Sequence, residues 1–197
     1  MTIIELMVSL TILVVIGIVI ARFQADIFVF TTDLRNGFSA DEQARTIIRP
    51  MTDEIRSASP SSLGAYPIVL ASSTAFTFYS DIDNTGVKDE VSYFVSGNAL
   101  KKGVIVPTGN PYVYSPSSET ITTVVPSLLN ANSTATPVFQ YYDDSYTGTS
   151  SPLAQPVTPS SVRLVKITFA IDADPNRSPS ARSITTQVEI RSLKDNL

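Results

Sequence analysis

The chain begins with an apolar run that predicts a helix able to cross a membrane. No residue between Leu6 and Ala21 is charged. At about 1.5 Å per residue, a helix of about 20 apolar residues spans roughly 30 Å, the thickness of the hydrocarbon core of a bilayer. The one charged side chain in this run is Glu5. Because a charge inside a membrane-spanning helix is costly, we expect Glu5 to be functional and to need a partner that its own segment does not contain.

An amphipathic pattern follows over residues 26–58. Charged residues alternate there with apolar residues at spacings of three and four, which are Leu34, Phe38, Ala44, Ile48, Met51, Ile55 and Ala58. This spacing predicts a helix with one face on a globular head. Pro50 removes a hydrogen bond inside that helix, so we expect a bend over residues 46–50, and Pro60 marks the end of the helix.

Residues 59–197 show the patterns of an antiparallel β head. Between residues 74 and 106, aromatic and β-branched residues predict successive strands. Residues 165–171 and 184–190 alternate between apolar and polar and predict a hairpin with one buried face, closed by a turn-rich loop at 174–179. A long helix followed by such a sheet predicts an α+β fold in which the helix is the stem and packs on the sheet.

Residues 107–159 are rich in Pro, Ser, Thr, Asn and Tyr. They predict long surface loops with short strand-like pieces at 121–125 and 138–142, and loops of this kind tend to carry contact functions. Within them, Tyr141, Tyr142 and Tyr146 lie close in sequence to Asp143 and Asp144. This cluster favours either a contact surface or simple packing on the sheet.

The composition limits the chemistry that the chain can perform. It has 197 residues and a net charge of −4, so it has no general attraction to nucleic acid. It contains no cysteine and no histidine, so the head cannot use a disulfide, and Ser-His-Asp or Cys-His catalysis is excluded. We therefore predict that the protein is not an enzyme.

The acid at position five of an apolar N-terminus, in the string MTIIELMV, resembles the mature N-terminus of bacterial type IV pilins and type II secretion pseudopilins. The resemblance covers residues 1–25 firmly and the amphipathic helix more weakly. It implies that Met1 follows a cleaved leader and is N-methylated. It also implies that Met1, Thr2 and Glu5 act in assembly, with Glu5 paired to the terminal amine of a neighbouring subunit. An ion pair of this kind would fix the register of the packed helices.

The resemblance implies a structural subunit of a type IV pilus, a helical homo-oligomer at the bacterial cell surface that is held in the inner membrane before assembly. The implied partners are other pilins, a prepilin peptidase and an assembly platform. A minor pilin or pseudopilin that primes or tips a filament remains an alternative, as does a membrane-anchored adhesion module that never polymerises. A secretory signal peptide is disfavoured because the apolar run has no basic residue before it.

A group of acidic residues in the first hairpin has the spacing of a calcium loop. Asp81, Asp83 and Asp89 stand at the first, third and ninth places with Gly86 at the sixth. Ser92 stands at the twelfth place, where such loops carry a bidentate Glu. Calcium is the one cofactor that the sequence offers, and the alternative is an ordinary turn between two strands.

Overall fold

A long helix forms the N-terminal part of the molecule. The computed structural model describes residues 2–171 and 182–194, and it describes the side chains of these residues except 29, 32–44 and 182. Helix α1 covers the 54 residues Ile3–Arg56, a length of about 80 Å. Pro50 lies inside α1, which continues past it for six residues, and the bend expected there stays a prediction. The helix ends just before Ser57, close to where Pro60 predicts its end.

Five antiparallel strands form the larger sheet, and each pairs with the next along the chain. They are β1 (Ile68–Ala71), β2 (Ala75–Ser80), β3 (Asp89–Ser96), β4 (Ala99–Ile105) and β5 (Thr120–Val125). Alternate residues of β2 and β3 are fully buried, so the sheet has one core face. The strands predicted between residues 74 and 106 are confirmed, whereas β1 has no counterpart among the predictions. Gly97, with a φ of 63°, forms the two-residue turn between β3 and β4.

Three further antiparallel strands form a second sheet, in which β7 lies between β6 and β8. They are β6 (Phe139–Tyr142), β7 (Leu164–Ile171) and β8 (Arg182–Glu189). The predicted C-terminal hairpin is confirmed, because β7 and β8 pair along their whole lengths and Val165, Ile167 and Phe169 are fully buried. The predicted loop at 174–179 lies outside the described residues.

Aromatic residues of β6 join the two sheets. The rings of Phe139 and Tyr141 lie 6.2 and 5.6 Å from the ring of Phe76 on β2. The Tyr141 hydroxyl donates to the carbonyl oxygen of Ser72 at 2.8 Å, and the main-chain N–H of Phe139 donates to that of Ser73 at 3.1 Å. The head therefore has one continuous core between two sheets, where the sequence predicts a single sheet.

The C-terminal end of α1 packs on this core. Met51 and Ile55 are fully buried, and the helix contacts β2 and β8. The apolar face predicted for the helix is confirmed at these two residues. It is also confirmed at Ala58, which is buried, and at Ile48, which is partly buried. The side chains of the predicted residues Leu34, Phe38 and Ala44 lie outside the described set.

The region 107–159 contains β5 and β6 where short strand pieces were predicted, and loops elsewhere. Asn130, which is 3 % exposed, holds one of these loops on β7. Its side-chain N–H group donates to the carbonyl oxygen of Thr168 at 2.8 Å, and the N–H of Ala170 donates to its side-chain oxygen at 2.9 Å. Buried polar groups of this kind are stable only when they are hydrogen-bonded, so the loop has a fixed position.

Candidate functional site

The most unusual surface of the molecule is the N-terminal half of α1. Residues Ile3–Phe28 are mostly apolar, an 18-residue window among them has a mean hydropathy of 2.9, and none of them is buried in the protein. Ile3 is 82 % exposed and Phe28 is 73 % exposed. Soluble monomers rarely expose a continuous apolar patch larger than a few hundred Å². The segment is long and apolar enough to cross a membrane, and its surface requires apolar surroundings, whether lipid or other helices.

Glu5 lies at the N-terminal end of this segment, where it takes part in a capping box. The main-chain N–H of Thr2 donates to Glu5 Oε2 at 3.4 Å, and the main-chain N–H of Glu5 donates to Thr2 Oγ1 at 3.3 Å. These bonds satisfy two of the N–H groups that have no partner within the helix. A carboxylate in the first turn is also favoured by the helix dipole.

Glu5 thus has a hydrogen-bond partner in its own segment, whereas its pairing with a cation from another subunit stays a prediction. The sequence contains the pattern that would have predicted the cap, because Thr2 and Glu5 have the Thr-x-x-Glu spacing of a capping box. The contact is to a neutral amide, however, and no cation among the described residues pairs with the negative charge. Among the described residues, Oε1 of Glu5 accepts no hydrogen bond and is available to a further donor. Met1, the other predicted assembly residue, lies outside the described part of the chain.

A second charged group joins the C-terminal end of α1 to the larger sheet. Lys102 Nζ lies 2.6 Å from Glu54 Oε1, and the Tyr93 hydroxyl donates to Glu54 Oε2 at 2.7 Å. Burial raises the pKa of the Tyr93 hydroxyl far above its ordinary value, and the charge of Glu54 raises it further. We call Glu54, Tyr93 and Lys102 the stem latch. The sequence did not predict it, because its members are separated by up to 48 residues.

Two of the predicted calcium residues, Asp81 and Asp83, lie in the turn between β2 and β3, and the third, Asp89, is the first residue of β3. Asp81 accepts hydrogen bonds from the main-chain N–H groups of Thr85 and Gly86 at 3.0 and 2.9 Å. Asp83 accepts from the N–H and hydroxyl groups of Thr85 at 3.2 and 2.8 Å, and these bonds hold its pKa below the ordinary value. Lys88 Nζ lies 3.6 Å from Asp81. In the described chain, no three His, Cys, Asp or Glu side chains are grouped closely enough to hold a metal ion by themselves.

Asp89 lies at the base of this turn and differs from the other two acids in being buried. It is 2 % exposed, and its Oδ2 atom has no hydrogen-bond partner among the residues that the structure describes. Burial raises the pKa of the Asp89 carboxyl, and the nearby negative charge of Asp83 raises it further. Of the three predicted acids, only Asp89 is therefore buried.

The tyrosine and aspartate cluster of the loops divides between core and surface. Tyr141 is fully buried between the sheets and Tyr142 is also buried, whereas Tyr146, whose ring lies 4.2 Å from that of Tyr142, is partly exposed. Asp143 accepts hydrogen bonds from the main-chain N–H and the hydroxyl of Ser145. Packing therefore accounts for Tyr141, and a local turn accounts for Asp143.

Comparison with known proteins finds no family model that matches this chain and no curated protein that is similar to it in sequence.

Removal of residues 1–28 tests whether the head depends on the apolar segment. We expect the shortened chain to move from the membrane or detergent fraction to the aqueous fraction. Its free energy of unfolding should stay within about 0.5 kcal/mol of the full chain, because no side chain of Ile3–Phe28 is buried against the head. Fractionation and urea unfolding followed by tyrosine fluorescence measure the two effects. A loss of more than about 2 kcal/mol would show that the segment belongs to the folded core.

Proposed function

We propose that this protein is a filament subunit of the type IV pilin class, held in a membrane by the N-terminal half of α1 before assembly. The observation that carries the proposal is the surface of Ile3–Phe28, which is mostly apolar and has no buried residue, although the head at the other end of the helix is well packed. A side-by-side bundle of such helices would cover this surface with apolar contacts of the kind that lipid provides. The head would then lie outside the bundle.

In this proposal Glu5 sets the register between neighbouring helices. The terminal amine of one subunit would approach Glu5 of the next and supply the cation that the capping box does not provide. Two charges in a low-dielectric bundle are tolerated as a pair, whereas removal of one partner typically costs about 3 to 5 kcal/mol. A subunit in the wrong register would leave both charges buried and unpaired, so the pair selects one axial offset.

The capping box also supports a second candidate, a membrane-anchored adhesion or binding module that never polymerises. In that case the bond between Thr2 and Glu5 would be the whole role of the acid, and lipid would cover the helix. A minor pilin or pseudopilin, present in few copies, is a variant of the first proposal. It differs in copy number, which a count of subunits in sheared filaments measures.

Substitution of Glu5 by glutamine separates these candidates. Glutamine is accepted at this position of a capping box, so Glu5→Gln keeps the cap and removes the charge. In cells with the native assembly machinery, we expect Glu5→Gln and Glu5→Ala each to reduce sheared filaments at least about 100-fold, as a loss of about 3 kcal/mol per contact implies. The amount of subunit in the membrane should not change.

The control is Asp144→Asn, which removes a carboxylate from an exposed loop of the head and should assemble normally. If Glu5→Gln forms filaments like the wild type while Glu5→Ala does not, the acid acts only through the cap and the register proposal fails. If no variant and no wild-type chain is ever found in filaments, the anchored module is correct. Mass spectrometry of the native N-terminus adds an independent test, since a pilin of this class carries a methylated Met1.

A further inference from the structure

Among the residues that the structure describes, one of the four sheet edges of the head is unprotected. At the outer edge of β6, the main-chain N–H of Phe139 donates to the Ser73 carbonyl oxygen, and the Tyr141 carbonyl oxygen accepts from the N–H of Leu153. At the other edge of that sheet, β8 contacts α1. On the larger sheet, β1 is only four residues long, has an irregular register and contacts the short 3₁₀ helix Pro159–Ser161. Short length, bulges and covering segments protect sheet edges from other strands.

The remaining edge is formed by β5. Its first four residues, Thr120, Ile121, Thr122 and Thr123, are all exposed, and no other described strand has four exposed residues in succession. These four pair regularly with β4, and the one irregularity in the register lies beyond them, toward Val125. On the side away from β4, no described main-chain group bonds to them. The edge therefore presents a row of unpaired N–H and C=O groups about 14 Å long.

The charged residue next to this edge is turned away from it. Glu119 immediately precedes β5, where a carboxylate could repel an approaching strand. Its Oε1 atom instead accepts a hydrogen bond from the Ser92 hydroxyl on β3 at 2.9 Å, so the side chain lies back across β4. Gly103 on β4 makes this possible, because a Cβ atom there would collide with the Glu119 carboxylate. Since β5 itself contains no charged residue, the edge lacks the charges that commonly prevent strand addition.

We propose that β5 is a self-association surface, at which the β5 strands of two copies of this chain pair antiparallel about a two-fold axis at the middle of the four exposed residues. An extended strand satisfies a row of alternating N–H and C=O groups. The segment is its own complement, because this pairing sets β-branched residues opposite one another and opposes no like charges. In the proposed function, α1 holds many copies in one membrane or filament, which raises the local concentration of this occupant above that of other strands.

Disulfide trapping in the full chain tests the proposal, since the chain has no cysteine of its own. Two four-residue edges bury far less than the roughly 1,200 Å² of a stable complex, so the association should be weak and is best detected by a covalent bond. Cysteines that face each other across an antiparallel pair have Cα atoms about 4.5 to 5.5 Å apart, the separation that a disulfide requires. Ile121→Cys or Thr122→Cys alone reports an axis at that residue, and an equal mixture of the two reports an axis between them.

The expected result is a cross-linked dimer under mild oxidation in detergent. At least one of these three samples should give about ten times the dimer yield of Asp144→Cys, because paired thiols react at the effective concentration of a bound complex. Asp144 is the matched control, since it lies on an exposed loop of the second sheet. The proposal is overturned if none of the three samples exceeds this control.

A charge placed on the edge makes the test specific. Thr123→Lys, added to the cross-linking variant, should lower the dimer yield at least about fivefold, because lysine blocks edge pairing and a two-fold contact carries it twice. Thr123→Val keeps the β-branched shape without a charge and should leave the yield unchanged. Urea unfolding followed by tyrosine fluorescence should give both variants the midpoint of the parent, since residue 123 is exposed. Equal yields from the two variants would overturn the proposal.

A contact between different edges is distinguished by mixing variants. Cross-linking of Thr122→Cys with Val69→Cys on the exposed part of β1, without the product between two β5 strands, would overturn the two-fold pairing. Because the contact is trapped in detergent before assembly, its failure would leave the filament proposal and the Glu5 experiment untouched. Loss of filaments in Glu5→Gln, in turn, has no bearing on the β5 cross-link.

Discussion

Replacement of Phe76 by alanine should lower the free energy of unfolding of the head by about 4 kcal/mol. Phe76 is fully buried, and its ring lies 5.1 Å from Phe78, 5.6 Å from Tyr141 and 6.2 Å from Phe139. The substitution would remove the side chain that contacts both sheets and leave a cavity at their junction. Loss of a large aromatic side chain from such a site typically costs about 3 to 5 kcal/mol.

Urea unfolding in detergent, followed by the fluorescence of the eight tyrosines, measures this loss. The midpoint should fall while the slope with urea concentration stays the same, because the surface exposed on unfolding hardly changes. Phe23→Ala is the matched control, since Phe23 is 65 % exposed on the apolar half of α1. We expect it to change the stability of the head by less than about 0.5 kcal/mol. Equal effects of the two substitutions would contradict the shared core of the two sheets.

The second large effect is expected at the stem latch. Glu54→Ala should lower the free energy of unfolding by about 2 to 3 kcal/mol. The substitution removes the ion pair with Lys102 at 2.6 Å and leaves the hydroxyl of Tyr93 without its acceptor. The side chains of Glu54 and Lys102 are only 17 % and 18 % exposed, so water compensates little of the loss. Glu54→Gln should lose less, because it can still accept the hydrogen bond from Tyr93.

The chain contains its own control for this prediction. Lys194 and Glu189 form an ion pair at 3.5 Å, but their side chains are 62 % and 52 % exposed. Exposed pairs contribute little, so Glu189→Ala should cost less than about 0.5 kcal/mol in the same urea experiment. If both substitutions have the same small effect, the stem latch does not hold α1 on the head, and the apolar contacts of Met51 and Ile55 do so alone.

Residue patterns within one element predict that element well in this chain. The alternation at 165–171 and 184–190 predicts β7 and β8, because side chains of a strand point alternately to the core and to solvent. The spacing of Ile48, Met51 and Ile55 predicts the buried face of α1 for the same kind of reason. Strand β1 has little such pattern: its two middle residues are both exposed, and it is only four residues long.

Some features of the candidate sites can be predicted from the sequence, whereas others depend on tertiary contacts. The sequence by itself singles out Glu5 in its apolar surroundings and the three acids of the β2–β3 turn. It also contains the capping box of Thr2, since that contact spans only three residues. Neither the stem latch nor the burial of Asp89 could be predicted, because each depends on which distant strands and helix meet.

The sequence by itself determined the type, length and buried face of most elements. It also determined that the helix over residues 3–28 is long and apolar enough to cross a membrane. These properties depend on residues within a few turns or strand positions of one another, where spacing alone fixes which side chains share a face. The tertiary structure decided that the strands divide into two sheets, that Phe76, Phe139 and Tyr141 join them, and that Glu54 meets Lys102. Those choices depend on packing between segments tens of residues apart, for which no local pattern exists.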